Sequence, residues 1–192
     1  ESFITMNADD FYGQATFQKA VEHIQSGKIN TDNYAMLGFE LERTLSDNGS
    51  VSRGICSLKG SQLYSVEEFT HIQKEKDAIY GMSEELKPKK LEAKSMTSMN
   101  FWVLDPSFFE KAERDLKDFL KNLKQPLSAE FYLPSVVDKA IRLKEVEVEV
   151  IPTSEKWFGL TYPGDRAVVV EELIQQKEAD IYPNSLWGTQ NK

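Results

Sequence analysis

A mixed α/β fold, with helices packed on a central sheet in one domain spanning residues 1–192, is what the order of patterns along the chain predicts. Strand-like runs alternate with helical periodicities, and a β-rich hairpin segment interrupts them early. The chain's 192 residues, 40% of them hydrophobic, are enough for one sizeable core.

Phe3, Ile4 and Met6 form an apolar, strand-like run directly after Glu1 and Ser2. A strand this early, with no initiator methionine, reads as part of a longer chain truncated at its amino terminus. Asn7 to Asp10 then lead into a helix on which Phe17, Ala20, Val21 and Ile24 recur at spacings of three and four, and which Gly27 ends. Asn33 to Leu41 is rich in aromatic and aliphatic residues, and Ser46-Asp47-Asn48-Gly49-Ser50 is a dense turn signal. Val51 to Leu58 reads as a strand, Gly60-Ser61 as a tight turn and Gln62 to His71 as the hairpin partner. The charged stretch from Lys74 to Lys94, with Gly81 and Pro88, reads as a mobile excursion or a short irregular hairpin.

Thr97 to Leu104 is a further strand. It ends at Asp105-Pro106-Ser107, where Pro106 suits a first helical position and Ser107 with Glu110 fits a capping box. The helix that follows is expected to bury Phe109, Ala112, Leu116, Phe119, Leu120 and Leu123. A second helix, from about Leu133 to Leu143, carries Val136, Val137, Ala140 and Ile141 on its apolar side. Glu145 to Ile151 alternates glutamate with valine, the period of a strand with one wet face, and Pro152 closes it. The last helix carries Val170, Leu173 and Ile174. The βα start places Asn7 to Tyr12 at the carboxyl end of a strand, where open α/β sheets hold their ligands.

The net charge of −8 argues against coating nucleic acid or an anionic membrane, both of which require a basic face. No run approaches the ~20 apolar residues that span a bilayer, so a soluble, cytoplasmic protein is expected. Cys56 is the only cysteine, and its alternating apolar surroundings suit a buried structural residue. His23 reads as a surface or boundary residue of its helix and His71 as structural, although His71 follows Glu68 closely enough to line a site.

The first group able to carry chemistry is Asn7-Ala8-Asp9-Asp10-Phe11-Tyr12-Gly13. Adjacent carboxylates at a strand end repel each other unless a cation or donors neutralise them. Mg2+, which takes one or two carboxylates and completes its shell with substrate phosphates, meets that need. Either aspartate would serve equally well as a helix cap.

This run, together with Val51-Ser52-Arg53-Gly54, Met99-Asn100-Phe101-Trp102, Glu130-Phe131-Tyr132-Leu133-Pro134 and Lys156-Trp157-Phe158-Gly159, resembles the bacterial sugar-1-phosphate nucleotidyltransferase family, in order from Asn7 to Trp187. The resemblance implies a nucleotide-diphospho-sugar transferase-like (glycosyltransferase-A-like) fold. It also implies Mg2+-dependent transfer of a nucleotidyl group from a nucleoside triphosphate to a sugar 1-phosphate, with release of pyrophosphate. It makes Asp9 the catalytic metal ligand, with Asp10 beside it. Gly54, Glu68, Asn100, Glu130, Lys156 and Trp157 become substrate contacts. Phe69 stands where the family carries a basic residue after the acid, and Asp165 substitutes for a second metal-binding acid in the turn Leu160-Thr161-Tyr162-Pro163-Gly164-Asp165.

The family's glycine-rich nucleotide loop has no counterpart here: Gly27, Gly49 and Gly60 are isolated turn glycines. The chain by itself is therefore expected not to transfer nucleotides. A reading from a different class is a non-catalytic sugar-phosphate-binding or assembly module derived from such an enzyme. An exposed sheet edge left by missing strands would favour association of copies into a homo-oligomer.

Overall fold

The structure, a computed structural model, describes residues 1–83, 87–123, 129–160, 162–183 and 185. It is a mixed α/β arrangement of eight strands and four helices in the order β1 (Phe3–Thr5), α1 (Gln14–Gln25), β2 (Asn33–Glu40), β3 (Val51–Lys59), β4 (Gln62–Glu75), β5 (Ala78–Met82), β6 (Pro88–Leu91), β7 (Met96–Leu104), α2 (Phe108–Lys121), α3 (Leu133–Arg142), β8 (Glu147–Thr153) and α4 (Asp165–Glu178). The sheet runs β1-β7-β2-β8-β4-β5-β6, with β3 pairing both β4 and β7. β2 and β8 are parallel, and the other pairings are antiparallel.

The centre of the sheet, β2 and β7, is apolar on both faces because helices cover both. Tyr34, Met36, Trp102 and Leu104 pack with Val136, Val137 and Ala140 of α3 and Phe108 of α2. Ala35, Leu37, Phe39, Phe101 and Val103 pack on the other face with Ala20 of α1 and with Tyr12 and Trp157. Such doubly covered strands read as continuous apolar runs rather than alternating ones. β8 has one wet face: Val148 and Val150 are buried, while Glu147 is exposed. It runs on to Thr153, with Pro152 opposite Gly38 in the parallel pair.

Several expectations are corrected. The charged stretch from Lys74 onward, outside 84–86, which lie beyond the described residues, forms an ordered meander of β4, β5 and β6 over Leu41, Val51, Phe69, Ile72, Ile79 and Leu91. The capping box at Ser107 is not made: α2 starts at Phe108, and Asp105 Oδ1 accepts the Ser107 amide at 2.9 Å. Ser107 Oγ instead lies 3.0 Å from Tyr34 Oη.

α2 does not bury its leucine face either. Phe109, Leu116 and Leu120 are exposed, and the residues buried on this helix are Phe108 and Asp115. Asp115 is drawn inside because Arg114 Nε (2.8 Å) and Lys139 Nζ of α3 (2.7 Å) both bond to its Oδ1. Val21 on α1 and Val170, Leu173 and Ile174 on α4 are likewise exposed. No helix among the described residues is long and apolar enough to cross a membrane.

Candidate functional site

β1 and β3 lie along the same edge of β7, on the side opposite β2. β1 pairs with Trp102 to Leu104, and β3 pairs with Thr97 and Ser98. Between them the β2–β7 ladder shifts register, so that Met36 faces Trp102 while Gly38 faces Ser98. Asn100, in the middle of this irregularity, has φ 59°, a left-handed conformation that asparagine tolerates better than most residues. The distortion turns the Met99 carbonyl to a side chain, Tyr12 Oη, which donates to it at 2.8 Å. Chain leaving β1 and chain entering β3 thus converge on Met99–Asn100, and a cavity of about 250 Å³ opens there.

Five separated segments line that cavity: Asn7 and Asp10 after β1, Ser52 to Gly54 with Val66 and Glu68 from the β3–β4 hairpin, Ser98 to Asn100 from β7, Pro134 at the start of α3, and Trp157. Tyr12 fixes the first segment. Its Oη accepts from the Asn7 amide at 3.1 Å and lies 3.3 Å from Asp10 Oδ2, which also accepts from Asn7 Nδ2 at 2.8 Å. The Trp157 segment is tied to the acid loop by a two-way bridge, Phe11 N to Phe158 O at 2.9 Å and Phe158 N to Phe11 O at 3.3 Å, with the two rings stacked 4.4 Å apart. Gly159 lies so close to Asp10 Oδ1 that a Cβ there would sit 2.7 Å from it.

Gly54 makes the hairpin wall possible. A Cβ at this position would meet Val66 Cγ1 at 2.6 Å and would come within 3.5 Å of Glu68 Oε2. Glu68 is exposed as a residue, yet its carboxyl lies against this wall. Desolvation there raises its pKa above the usual glutamate range, against the pull of the Arg53 charge.

Of the sequence-predicted residues, the cavity gathers Asp10, Gly54, Glu68, Asn100 and Trp157. Asp9 is exposed beside it and is not among the cavity-lining residues. Glu130 lies in a different groove, with Phe119, Phe131 and Tyr132. Lys156 pairs with Glu172 of α4. Asp165 is buried, and its carboxylate takes Ser46 Oγ (2.9 Å), Asn48 Nδ2 (2.8 Å) and the Tyr162 amide (2.7 Å), pinning the turn before β3 to the start of α4. Thr161 and Trp187 fall outside the described residues. His71 is exposed beside Thr70, and His23 packs near Glu149; neither lines the cavity. Cys56 is buried in β3, and burial pushes its thiol up to about 12.

Arg53 also lines the cavity, although its motif singled out only the neighbouring Gly54. It is only 9% exposed, and its guanidinium lies 4.5 Å from the centre of the Trp157 ring. The available signal was its register: with Val51 two positions before it, Arg53 falls on the inward side of β3, an odd place for a cation.

The donor set fits Mg2+ in one manner only. Among the described residues no group of three or more His, Cys, Asp or Glu could hold a metal ion. Asp9 and Asp10 nevertheless provide the one or two carboxylates that suffice when substrate phosphates and water complete the shell.

No family model matches the chain, and no curated protein matches it. Among solved structures it is similar to a protein from Bacillus anthracis assigned as a glucose-1-phosphate thymidylyltransferase, in complex with sucrose, at 15% identity and a TM-score of 0.49, covering 88% of this chain and 54% of that one. It is also similar to a mannose-1-phosphate geranyltransferase from Thermus thermophilus, at 13% identity and a TM-score of 0.38, covering 82% and 46%. The chain spans about half the length of these two structures.

Proposed function

We propose that this chain is the sugar-1-phosphate-binding part of a Mg2+-dependent sugar-1-phosphate nucleotidyltransferase with a glycosyltransferase-A-like fold, which joins a nucleoside triphosphate to a sugar 1-phosphate and releases pyrophosphate. The observation that carries the reading is the convergence of Asp10, Gly54, Glu68, Asn100 and Trp157, from segments far apart in sequence, on one cavity at the end of β1.

Each lining group suits a sugar. The Glu68 carboxylate and the Asn7 and Asn100 amides are hydrogen-bond partners for hydroxyls. Gly54 lets the substrate approach the backbone of β3, and Trp157 forms an apolar wall. Asp9 and Asp10 at the mouth would hold the ion, which supplies charge neutralisation for the phosphates when bound. The residues of the chain position the sugar phosphate, and in-line attack of its oxygen on the α-phosphorus needs no protein nucleophile. Asn7 keeps the Asp10 carboxylate aimed through the Nδ2 hydrogen bond described above.

The test is pyrophosphate release by the full-length protein with Mg2+ across a panel of sugar 1-phosphates and nucleoside triphosphates. At least one pair is expected to turn over, and Asp9→Ala or Asp10→Ala is expected to lower the rate by roughly 100-fold or more, in the range for charge stabilisation at a reacting phosphate. Absence of turnover with every pair, or full activity in Asp9→Ala, would refute the assignment. The reading as a non-catalytic sugar-phosphate-binding module is favoured by the exposure of Asp9 and the lack of a three-ligand metal group among the described residues. It predicts binding of the sugar phosphate without turnover.

A further inference from the structure

We infer that Arg53 is the anion-binding residue of this cavity, offering the Nε edge of its guanidinium to the phosphate of a sugar 1-phosphate. This rests on the sugar-phosphate reading and adds to it the residue that recognises the phosphate.

Geometry comes first. Arg53 is the one cationic side chain lining the cavity among the described residues, whereas Asp10 and Glu68, which also line it, would repel a phosphate. Lys156 is turned to Glu172, and Phe69 is buried under the β4–β6 meander, so neither supplies the charge. The guanidinium itself is held on several sides. Nη1 donates to the Ser52 carbonyl, Nη2 to the Thr44 carbonyl, and the plane lies over Trp157. Nε, buried in the same wall, has no partner among the described residues. Nε–H with a neighbouring Nη–H is the fork that matches two phosphate oxygens, and a lysine cannot reproduce it.

Charge is the second argument. No carboxylate forms an ion pair with Arg53 among the described residues; Asp10 and Glu68 act on it only through space. Burying a cation without an ion pair costs free energy, and the loss is recovered when an anion arrives. Burial lowers the Arg53 pKa to about 10, opposed by Asp10 and Glu68, so the group remains charged at neutral pH. The indole Nε1 of Trp157 is a second buried donor without a partner among the described residues. The cavity therefore divides its labour, with Glu68, Asn7 and Asn100 for hydroxyls and Arg53 for the phosphate.

The experiment is 1H–15N NMR of the protein, following the Arg53 Nε–H resonance and the Gly54 and Asn100 amides during titration with glucose, galactose and mannose 1-phosphates and with the free hexoses. The sugar phosphate that binds is expected to move all three signals, and a free hexose only the two amides. Arg53→Lys is expected to weaken the sugar phosphate by about tenfold or more while leaving free-hexose affinity within about twofold. If the Gly54 and Asn100 amides respond and the Arg53 Nε–H does not, this assignment is overturned and the sugar-phosphate site stands. Equal weakening of phosphorylated and free sugar by Arg53→Lys would assign Arg53 a structural role only. If no signal responds to any compound, both readings fall. The wild-type titration decides even where the variant does not fold.

Discussion

Arg53 in the cavity wall and Asp115 between α2 and α3 both carry buried charges, and they are treated in opposite ways. Asp115 has Arg114 and Lys139 bonded to one of its oxygens, at 2.8 and 2.7 Å. Arg53 has two backbone carbonyls and an indole face but no ion pair among the described residues. Each leaves one buried atom without a partner among the described residues, Asp115 Oδ2 and Arg53 Nε. An orphaned atom therefore does not separate a binding group from a structural one; a buried charge that lines a cavity without an ion pair among the described residues does. The α2–α3 charge is neutralised within the fold, and the cavity charge is left for a ligand.

The substitution expected to cost most is Trp157→Ala, which empties a buried aromatic site and removes the face under Arg53. Urea unfolding should lose about 3–5 kcal/mol, with Trp157→Phe recovering part of it. Asp115→Ala comes next, at about 2 kcal/mol. This is below the ~3–5 kcal/mol of a fully buried pair, because Arg114 and Lys139 are each 40% exposed and rehydrate when released. Affinity for the sugar phosphate should not change in this variant, and a loss there would break the comparison.

Asp115 also gives the contrast a pH signature. Burial works to raise its pKa, but the hydrogen bonds and charges of Arg114 and Lys139 together outweigh burial and hold it below the usual aspartate range. Its stabilising contribution is thus present above an unfolded pKa of about 4 and is lost as pH falls through the lower folded value. The stability difference between wild type and Asp115→Asn, followed from pH ~6 to ~2, should shrink toward acid.

Gly54→Ala is expected to cost about 1–2 kcal/mol, as its Cβ forces Val66 aside, and to weaken ligand binding more than it weakens the fold. The smallest effect concerns Cys56, just along β3 from the cavity. With its thiol pushed up to about 12 by burial, native protein should react with iodoacetamide roughly 100-fold more slowly than urea-unfolded protein.

The strands were legible because their signals are local: valine alternation in β8, the Gly60 turn between β3 and β4, and the apolar runs of β2 and β7. The buried face of α2 was not. Leu116 and Leu120 satisfy a helical period, but burial of Asp115 depends on Lys139, 24 positions away. Within the site, Asp10, Gly54, Glu68, Asn100 and Trp157 could be singled out from sequence, whereas their meeting depends on β1 and β3 sharing one edge of β7, a pairing no local pattern encodes. Arg53 was visible only as a cation on the inward register of a strand. Asp165 was read as a substitute second metal acid from the family resemblance of its turn, and its bonds to Ser46 and Asn48 could not be read locally because those partners are remote in sequence.

The central claim is that the cavity between β1 and β3 holds a sugar 1-phosphate, and isothermal titration of a panel of sugar 1-phosphates into the protein tests it most directly. The account predicts saturable one-site binding for at least one member, weakened by about tenfold or more in Gly54→Val and unchanged in Asp115→Ala. No binding by any member, or Gly54→Val binding as tightly as wild type, would contradict it.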